Sequence, residues 1–247
     1  MAASVDVSYP APGVALLVLD NPPKNFGSYE LLQALEDGLD EAKAKRSLVV
    51  VLASDCPGYF MAHAWLPDVI NAYDDPSSIT GDPLLWRRVT NELERGPFIS
   101  ISCNHAQIEV ALGVIPGGGG TARLARLLGQ SKAIEIMVGG EPLTAEELYR
   151  VGGVNRLYSD EELRERTIEW AALIASRPRR AVLANKRGIL QAWDVDMDNA
   201  LRLEGFIFNS LMTPEEIDRF RLIQSRYDAG ADSWEAYELP RERTGRP

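Results

Sequence analysis

A glutamate followed by a run of glycines is the stretch of this sequence best suited to chemistry. Glu109 precedes an apolar, strand-like run at 110–115, and Pro116 then leads into four consecutive glycines at 117–120. Glycines permit a turn with positive φ or a backbone pressed against a bulky group. The run lacks the Lys-Ser/Thr ending of a P-loop and the context of a dinucleotide fingerprint. From these residues alone, Glu109 is either a proton-transfer group or an exposed glutamate at the start of a strand.

The elements before this stretch follow an α/β pattern. The apolar run at 14–20 predicts a strand, and apolar residues at helical spacing predict an amphipathic helix over 28–46 with Ser28 as N-cap. A second apolar run at 48–53 predicts a strand buried on both faces, which completes a right-handed βαβ unit. Because ligands bind at the carboxyl ends of parallel strands, the loop over 54–66 is a candidate site.

The second half of the chain is predicted to be mainly helical, with Gly129 closing the helix that follows the glycine run. The capping-box sequence from Thr144 and the pair Thr213-Pro214 each predict the start of a helix. Further helices are predicted over 83–95, 131–138, 160–176, 179–193 and 197–211, and strands over 98–103 and 154–158. The polar tail over 228–247 is predicted to be frayed or held only by a partner subunit.

Composition excludes several classes of function. The 247 residues are 45% hydrophobic and 25% charged, with a formal net charge of −10, and no basic stripe is present to bind nucleic acid. Two isolated cysteines, Cys56 and Cys103, and two histidines, His63 and His105, form a poor metal set, so no metal is expected. The cysteines are expected to be small buried hydrophobes. The first residues have no basic or apolar targeting segment and no run reaches membrane-spanning length, which predicts a cytoplasmic protein.

Taken together, these stretches resemble the enoyl-CoA hydratase/isomerase (crotonase) superfamily. The matching residues are 14–25, 47–66, 98–103, 109–129, 131–153 and 181–187, and the string that begins at Glu109 is the most specific. The resemblance implies an α/β crotonase (ClpP-like) fold of repeated ββα units. It also implies a core over 1–195 with an acyl-CoA site, and a C-terminal helical region over 196–247 that packs subunits into a homotrimer or hexamer.

The resemblance also implies where the chemistry occurs. In the family, two main-chain N–H groups stabilise the enolate oxygen of an acyl-CoA thioester, and a carboxylate moves a proton. The family string Phe-Ser-Ala-Gly-Ala-Asp-Leu matches residues 60–66, which makes the N–H of Ala64 the first donor and Glu109 the acid/base. The residues implied in substrate or coenzyme A binding are Lys24, Met61, Ala62, His63, Leu66, Gly117 and Gly118. No cofactor is implied beyond the coenzyme A of the substrate.

Two departures from the family pattern leave alternatives open. His63 and Trp65 replace a glycine and an aspartate, so they could reshape the acyl pocket. About 25 residues of the usual pattern are absent between Cys103 and Glu109, and these carry the second donor and the first glutamate. Parallel strands need a crossover of about a dozen residues or more, so five residues cannot replace that step. Either the sequence in hand omits the segment, which is slightly favoured, or the protein lacks it.

Three hypotheses follow from the resemblance. The first is an enoyl-CoA hydratase/isomerase-like enzyme that uses Ala64 and Glu109. The second is a catalytically degenerate crotonase-fold protein that retains assembly or coenzyme A binding. The third is another crotonase chemistry, such as C–C bond hydrolysis, with His63 as acid/base. Lys24 is as compatible with a solvated loop lysine as with a coenzyme A contact.

Overall fold

The computed structural model describes residues 3–75, 82, 84–101, 109–141 and 143–238. Within residues 3–176, a mixed four-stranded sheet forms the centre of the fold. In order across the sheet, the strands are β1 (Ser4–Ala11), β2 (Val14–Asp20), β3 (Val49–Ser54) and β4 (Ile99–Ile101). β1 pairs antiparallel with β2, whereas β3 is parallel to both β2 and β4. The α/β class predicted from the sequence is confirmed.

The predicted βαβ unit is confirmed, and it supplies most of the core. The helix between β2 and β3, α1 (Tyr29–Ala44), begins at Ser28, whose hydroxyl accepts a hydrogen bond from the Leu31 N–H at 3.2 Å. The fully buried side chains of this cluster include Leu17, Leu19, Leu31, Leu39, Val50 and Phe98. Burial of one such side chain stabilises a fold by roughly 1.5–3 kcal/mol. The βαβ unit therefore gives a rigid base for the loops at the carboxyl ends of β2 and β3.

Apart from α2 and α11, the remaining helices agree with the predicted ones to within a few residues. They are α2 (Leu66–Asp74), α3 (Leu85–Arg95), α4 (Gly120–Leu128), α5 (Gln130–Gly139), α6 (Ala145–Arg150), α7 (Leu163–Ala175), α8 (Arg179–Ala192), α9 (Met197–Leu211), α10 (Pro214–Asp228) and α11 (Ser233–Ala236). Gly129 follows α4 with φ +79°, and Thr144 forms the predicted capping box of α6 with Glu147. The local signals for helix ends were therefore sufficient here.

Outside the stretch around Glu109, three predictions differ from the structure. Residues 154–158 form bend and coil rather than a strand, and no described strand pairs with them to supply the required hydrogen bonds. The hydroxyl of Thr213 contacts the Glu216 carboxylate instead of capping α10 through a backbone N–H. Part of the tail is ordered as α11, because Asp232 caps it by accepting the Glu235 N–H at 2.9 Å.

The chain divides into two compact units between Ser176 and Arg177. In the second unit α8 packs against α9, where the Arg180 guanidinium donates to the Ser210 carbonyl at 3.0 Å, and α10 packs against α11. No residue that the structure describes in α8, α9 or α10 is fully buried. The functional boundary at 195/196 remains a prediction. Among the described helices, none is long and apolar enough to cross a membrane.

Candidate active site

A short parallel pairing between residues 24–27 and 62–65 positions the predicted oxyanion donor. The Gly27 N–H donates to the His63 carbonyl at 2.8 Å, and the Trp65 N–H donates to the Gly27 carbonyl at 3.0 Å. In a parallel pair the residue between two bonded neighbours directs its own N–H to the opposite side. Ala64 is that residue, so its N–H points away from Gly27.

The Ala64 N–H donates to no acceptor among the residues that the structure describes. The Ala64 carbonyl, in contrast, is engaged by the His63 ring, whose Nδ1 lies 2.6 Å from the oxygen. Because a carbonyl oxygen only accepts hydrogen bonds, His63 Nδ1 carries the proton of this bond. A half-buried main-chain donor is thus available beside a carbonyl that is already satisfied.

The two residues that depart from the family string pack against one aromatic ring. The His63 and Phe26 ring centroids are 4.9 Å apart, and those of Trp65 and Phe26 are 5.2 Å apart. Phe26 directly precedes Gly27, the pairing partner of Ala64. The side chains of the two residues that flank Ala64, His63 and Trp65, therefore pack against Phe26 and help to hold the segment in place.

The other predicted binding residues of this segment differ in exposure. Lys24 is exposed, with Nζ 5.3 Å from the centre of the Tyr59 ring, and its carbonyl accepts the Ala62 N–H at 3.1 Å. Met61 packs half-buried against the core, and Leu66, which is 36% exposed, begins α2. The pairing of the two segments places Lys24 beside the residues around Ala62, as a shared binding surface requires.

Glu109 lies in a 3₁₀ helix, Glu109–Leu112, so the strand predicted for 110–115 is wrong. The chain turns back at Gly113, which has φ +74° and donates its N–H to the Val110 carbonyl at 3.0 Å. A positive φ ends an extended run, and glycine adopts it at low cost. Oε2 of Glu109 is buried and has no hydrogen-bond partner in the described part of the chain. Buried carboxylate oxygens normally accept a hydrogen bond, so this atom has an acceptor site left for a further group.

The glycine run makes the close approach that its composition predicts. A Cβ at Gly118 would overlap the Trp86 indole nitrogen, whereas at Gly117 nothing lies within 4 Å of a Cβ. Gly119 has φ +88°, which favours glycine on conformational grounds. Two of the glycines are therefore required by the structure, one by contact and one by its backbone angle.

Trp86 of α3 joins the two predicted parts of the site. A Cβ at Gly27 would lie 2.5 Å from Trp86 Cζ3, so the indole that contacts Gly118 also contacts the pairing partner of Ala64. Arg123 links the same turn to α3, because its guanidinium donates to the Gly118 carbonyl at 2.7 Å and to the Glu94 carboxylate at 2.9 Å. The Ala64 segment and the glycine turn thus meet on opposite sides of one indole ring.

No local signal points to Trp86, because nothing in the spacing of α3 indicates which two glycines its indole contacts. Asn25, another residue missed, is fully buried and adopts φ +50°, which asparagine tolerates better than most residues. Cys56 is buried and unpaired, as predicted. Cys103 and His105 lie outside the described residues.

A cavity of about 620 Å³ opens at the carboxyl end of β3, where ligands bind in parallel sheets. It is lined by residues 51–60, Ile101 and the start of α7, where Arg164 pairs with Asp55 at 2.7 Å. Neither Ala64 nor Glu109 lines it. The strand-end rule therefore locates a cavity beside the loop over 54–66, on a different part of that loop from Ala64.

The fold is that of solved enoyl-CoA hydratases. The crystal structure of an enoyl-CoA hydratase from Bacillus anthracis superposes with a TM-score of 0.81 at 24% sequence identity, over 90% of this chain and 96% of that chain. The described architecture and this likeness confirm the crotonase-type α/β fold predicted from the resemblance.

The sequence also matches the family model for enoyl-CoA hydratase/isomerase over residues 99–224, and the chain belongs to that family. It is similar to the glyoxysomal fatty acid beta-oxidation multifunctional protein MFP-a of Brassica napus, with 30% identity over 68% of this chain and 27% of that protein. The chain therefore spans about a quarter of the length of this relative. The predicted family membership is confirmed.

A third relative bears on the segment missing before Glu109. The 2,3-dehydroadipyl-CoA hydratase of Escherichia coli strain K12 is 27% identical over 227 aligned positions, which include 82% of this chain and 88% of that enzyme. Because 82% of 247 residues is about 203, about 24 aligned positions have no counterpart in this chain. That number is close to the roughly 25 residues that the family pattern predicts to be absent between Cys103 and Glu109.

Proposed function

We propose that this chain acts on an acyl-CoA thioester by stabilising an enolate oxygen and transferring a proton, as an enoyl-CoA hydratase or isomerase does. The observation that carries the proposal is the N–H of Ala64, which the pairing directs away from Gly27 and which donates to no described acceptor. A preorganised donor of this kind contributes roughly 3–4 kcal/mol in the transition state.

Glu109 is the proposed acid/base. Its buried, unpartnered Oε2 is suited to exchange a proton with a substrate carbon, because no described side chain competes for that oxygen. Trp86 supports a common site for the two residues, since its indole contacts both Gly27 and the glycine turn that follows Glu109. Lys24, exposed beside Ala62, is proposed to meet the phosphates of coenzyme A, while Gly117 and Gly118 line the acyl end.

The proposed assembly is a homotrimer or hexamer, with no cofactor beyond the coenzyme A of the substrate and with the cytoplasm as the compartment. The exposed aromatic side chains of α9 support an interface, because Phe206 is 73% and Phe208 56% exposed in the isolated chain. Analytical ultracentrifugation gives the assembly directly, and cell fractionation gives the compartment. A monomer at micromolar concentration would contradict the assembly.

The experiment is a turnover assay with a panel of unsaturated acyl-CoA esters that differ in chain length. Glu109→Gln should lower kcat by about 100-fold or more, as expected for loss of a general acid/base. Glu146→Gln, the same change at an exposed site in the first turn of α6, is the matched control and should leave turnover unchanged. Equal activity of Glu109→Gln and wild type would refute the role of Glu109.

The second candidate is a degenerate crotonase-fold protein that binds coenzyme A without catalysis. The observation that supports it is the excess of about 24 aligned positions without a counterpart in this chain. This number is close to the length of the segment that the family pattern predicts to be absent, and in the family that segment carries the second oxyanion donor and the first glutamate. Titration calorimetry with coenzyme A distinguishes the two candidates. Binding without turnover on the whole panel would support the second candidate, and no binding at all would leave only a structural role.

The third chemistry, with His63 as acid/base, has less support. His63 Nδ1 is engaged with the Ala64 carbonyl at 2.6 Å, so only Nε2 remains for proton transfer. The pH profile of kcat in His63→Ala tests it. Loss of an inflection that wild type shows would favour this chemistry over the one proposed.

A further inference from the structure

A buried hydrogen-bond network centred on Asn25 lies behind the segment that carries Ala64. The Asn25 side chain is fully buried, and its Nδ2 donates to the Ser54 hydroxyl at 2.7 Å and to the Phe60 carbonyl at 3.0 Å. The same nitrogen lies 3.2 Å from the Leu19 carbonyl. One carboxamide therefore joins the end of β2, the end of β3 and the loop that leads to Ala64.

The oxygen of the same side chain completes the network. Asn25 Oδ1 accepts from the Asn21 N–H at 2.5 Å and from the Cys56 thiol at 3.1 Å. Ser54, in turn, accepts the Cys56 N–H at 3.0 Å and donates to the Tyr59 carbonyl. Donors and acceptors on both sides of the carboxamide are satisfied, and such a network holds its members in one arrangement.

We infer that Asn25 is a positioning residue that sets the direction of the Ala64 N–H. Two features connect them: Asn25 holds the Phe60 carbonyl, four residues before Ala64, and it lies within the segment over 24–27 that pairs with 62–65. Loss of the carboxamide frees both segments at once, so the bridge between Gly27 and Ala64 loses its support. This inference rests on the proposed function for its catalytic consequence, but not for its structural one.

The first test replaces the carboxamide by groups that cannot donate. Asn25→Asp has the same shape, but a carboxylate oxygen replaces the Nδ2 group. That oxygen cannot donate to the Ser54 hydroxyl or to the carbonyls of Phe60 and Leu19. Asn25→Gly suits the positive φ and removes the side chain, and it serves if the aspartate variant does not fold. Asn209→Asp, the same change at an exposed site on α9, is the matched control.

The structural readout needs no substrate. Amide hydrogen exchange of Ala62 and Trp65, whose N–H groups bond to the carbonyls of Lys24 and Gly27, should be at least tenfold faster in folded Asn25 variants than in wild type or in Asn209→Asp. Exchange at wild-type rates in a folded Asn25 variant would overturn the inference, whatever the activity of the protein.

The functional readout is the infrared carbonyl band of bound butyryl-CoA labelled with ¹³C at the thioester carbon. A wild-type protein with an oxyanion donor should shift this band to lower frequency than in water, and the Asn25 variants should lose most of that shift and at least tenfold in kcat, with KM changed less than threefold. A full shift and full kcat in the variants would refute the positioning role. No shift in wild type would instead refute the proposed function, while the exchange result still decides the role of Asn25.

Discussion

Gly118 lies directly against the Trp86 indole, so that even a methyl group at position 118 would overlap the ring nitrogen. The same ring excludes a side chain at Gly27, whose pairing partner is Ala64. One aromatic side chain of α3 thus fixes the separation between the glycine turn and the proposed oxyanion donor. Neither glycine is explained by flexibility, because both are required by contact.

Substitution of Gly118 tests this contact, and the adjacent glycine supplies the control. Gly118→Ala should destabilise the fold by about 1–3 kcal/mol, because the indole must move to admit the methyl group. Gly117→Ala should have little effect, since nothing lies within 4 Å of a Cβ there. Urea unfolding of both variants measures the difference. Equal stability of the two would show that the indole is not fixed by this contact.

The sequence was informative wherever one local pattern decides the structure. The apolar periods of β2, α1 and β3, the cap at Ser28 and the capping box at Thr144 all depend on residues within one or two turns, and all are found as predicted. β1 lies outside the predicted elements, although Val5, Val7 and Tyr9 alternate with other residues, a period of two that indicates a strand.

The site depends on long-range contacts, and these were not predictable from spacing. Trp86 contacts Gly27 and Gly118, which are 59 and 32 residues away along the chain. The amide of Asn25 bonds to Phe60 across 35 residues. The 3₁₀ helix at Glu109 was read as a strand because its apolar residues suit either form, and only the positive φ at Gly113 separates the two.

Removal of the main-chain donor tests the proposed role of Ala64 directly. Ala64→Pro lacks the N–H but keeps the carbonyl that His63 contacts, so the pairing of Trp65 with Gly27 can persist. We expect kcat to fall by about 10²–10³, the effect of losing one oxyanion donor. Coenzyme A affinity, measured by calorimetry, should change little. Unchanged kcat in a folded Ala64→Pro variant would exclude this N–H as the donor.

Tyr9 gives a prediction on pH dependence. Burial and the hydrogen bond that its hydroxyl donates to Glu41 at 2.9 Å raise the pKa of Tyr9 to about 12, from an ordinary value of 10.0. Because the folded pKa is the higher one, this contribution to stability is complete below pH 10.0 and is lost as the pH rises to about 12. Tyr9→Phe should therefore flatten the pH dependence of the unfolding free energy in that range.

The control for Tyr9 is Tyr73→Phe, because the Tyr73 side chain is 87% exposed. This variant should keep the wild-type dependence on pH, measured by urea unfolding at a series of alkaline pH values. Ultraviolet absorbance should also show a tyrosinate that forms near pH 12 in wild type and is absent from Tyr9→Phe. A Tyr9→Phe variant with the wild-type slope would show that the contact with Glu41 is not made in solution.

The missing segment can be tested in protein isolated from its natural source. The sequence between Arg95 and Arg123 contains no lysine or arginine, so an uninterrupted chain would give one tryptic peptide that runs from Gly96 to Arg123 and includes Glu109. Because omission of the segment from the sequence is the favoured alternative, we expect mass spectrometry to find a heavier peptide, or two peptides that flank additional residues. A peptide with the mass of the uninterrupted sequence would contradict this expectation. The uninterrupted peptide would mean that Ala64 acts without the second donor of the family, and turnover about 10²–10³ below that of a complete oxyanion hole is then expected.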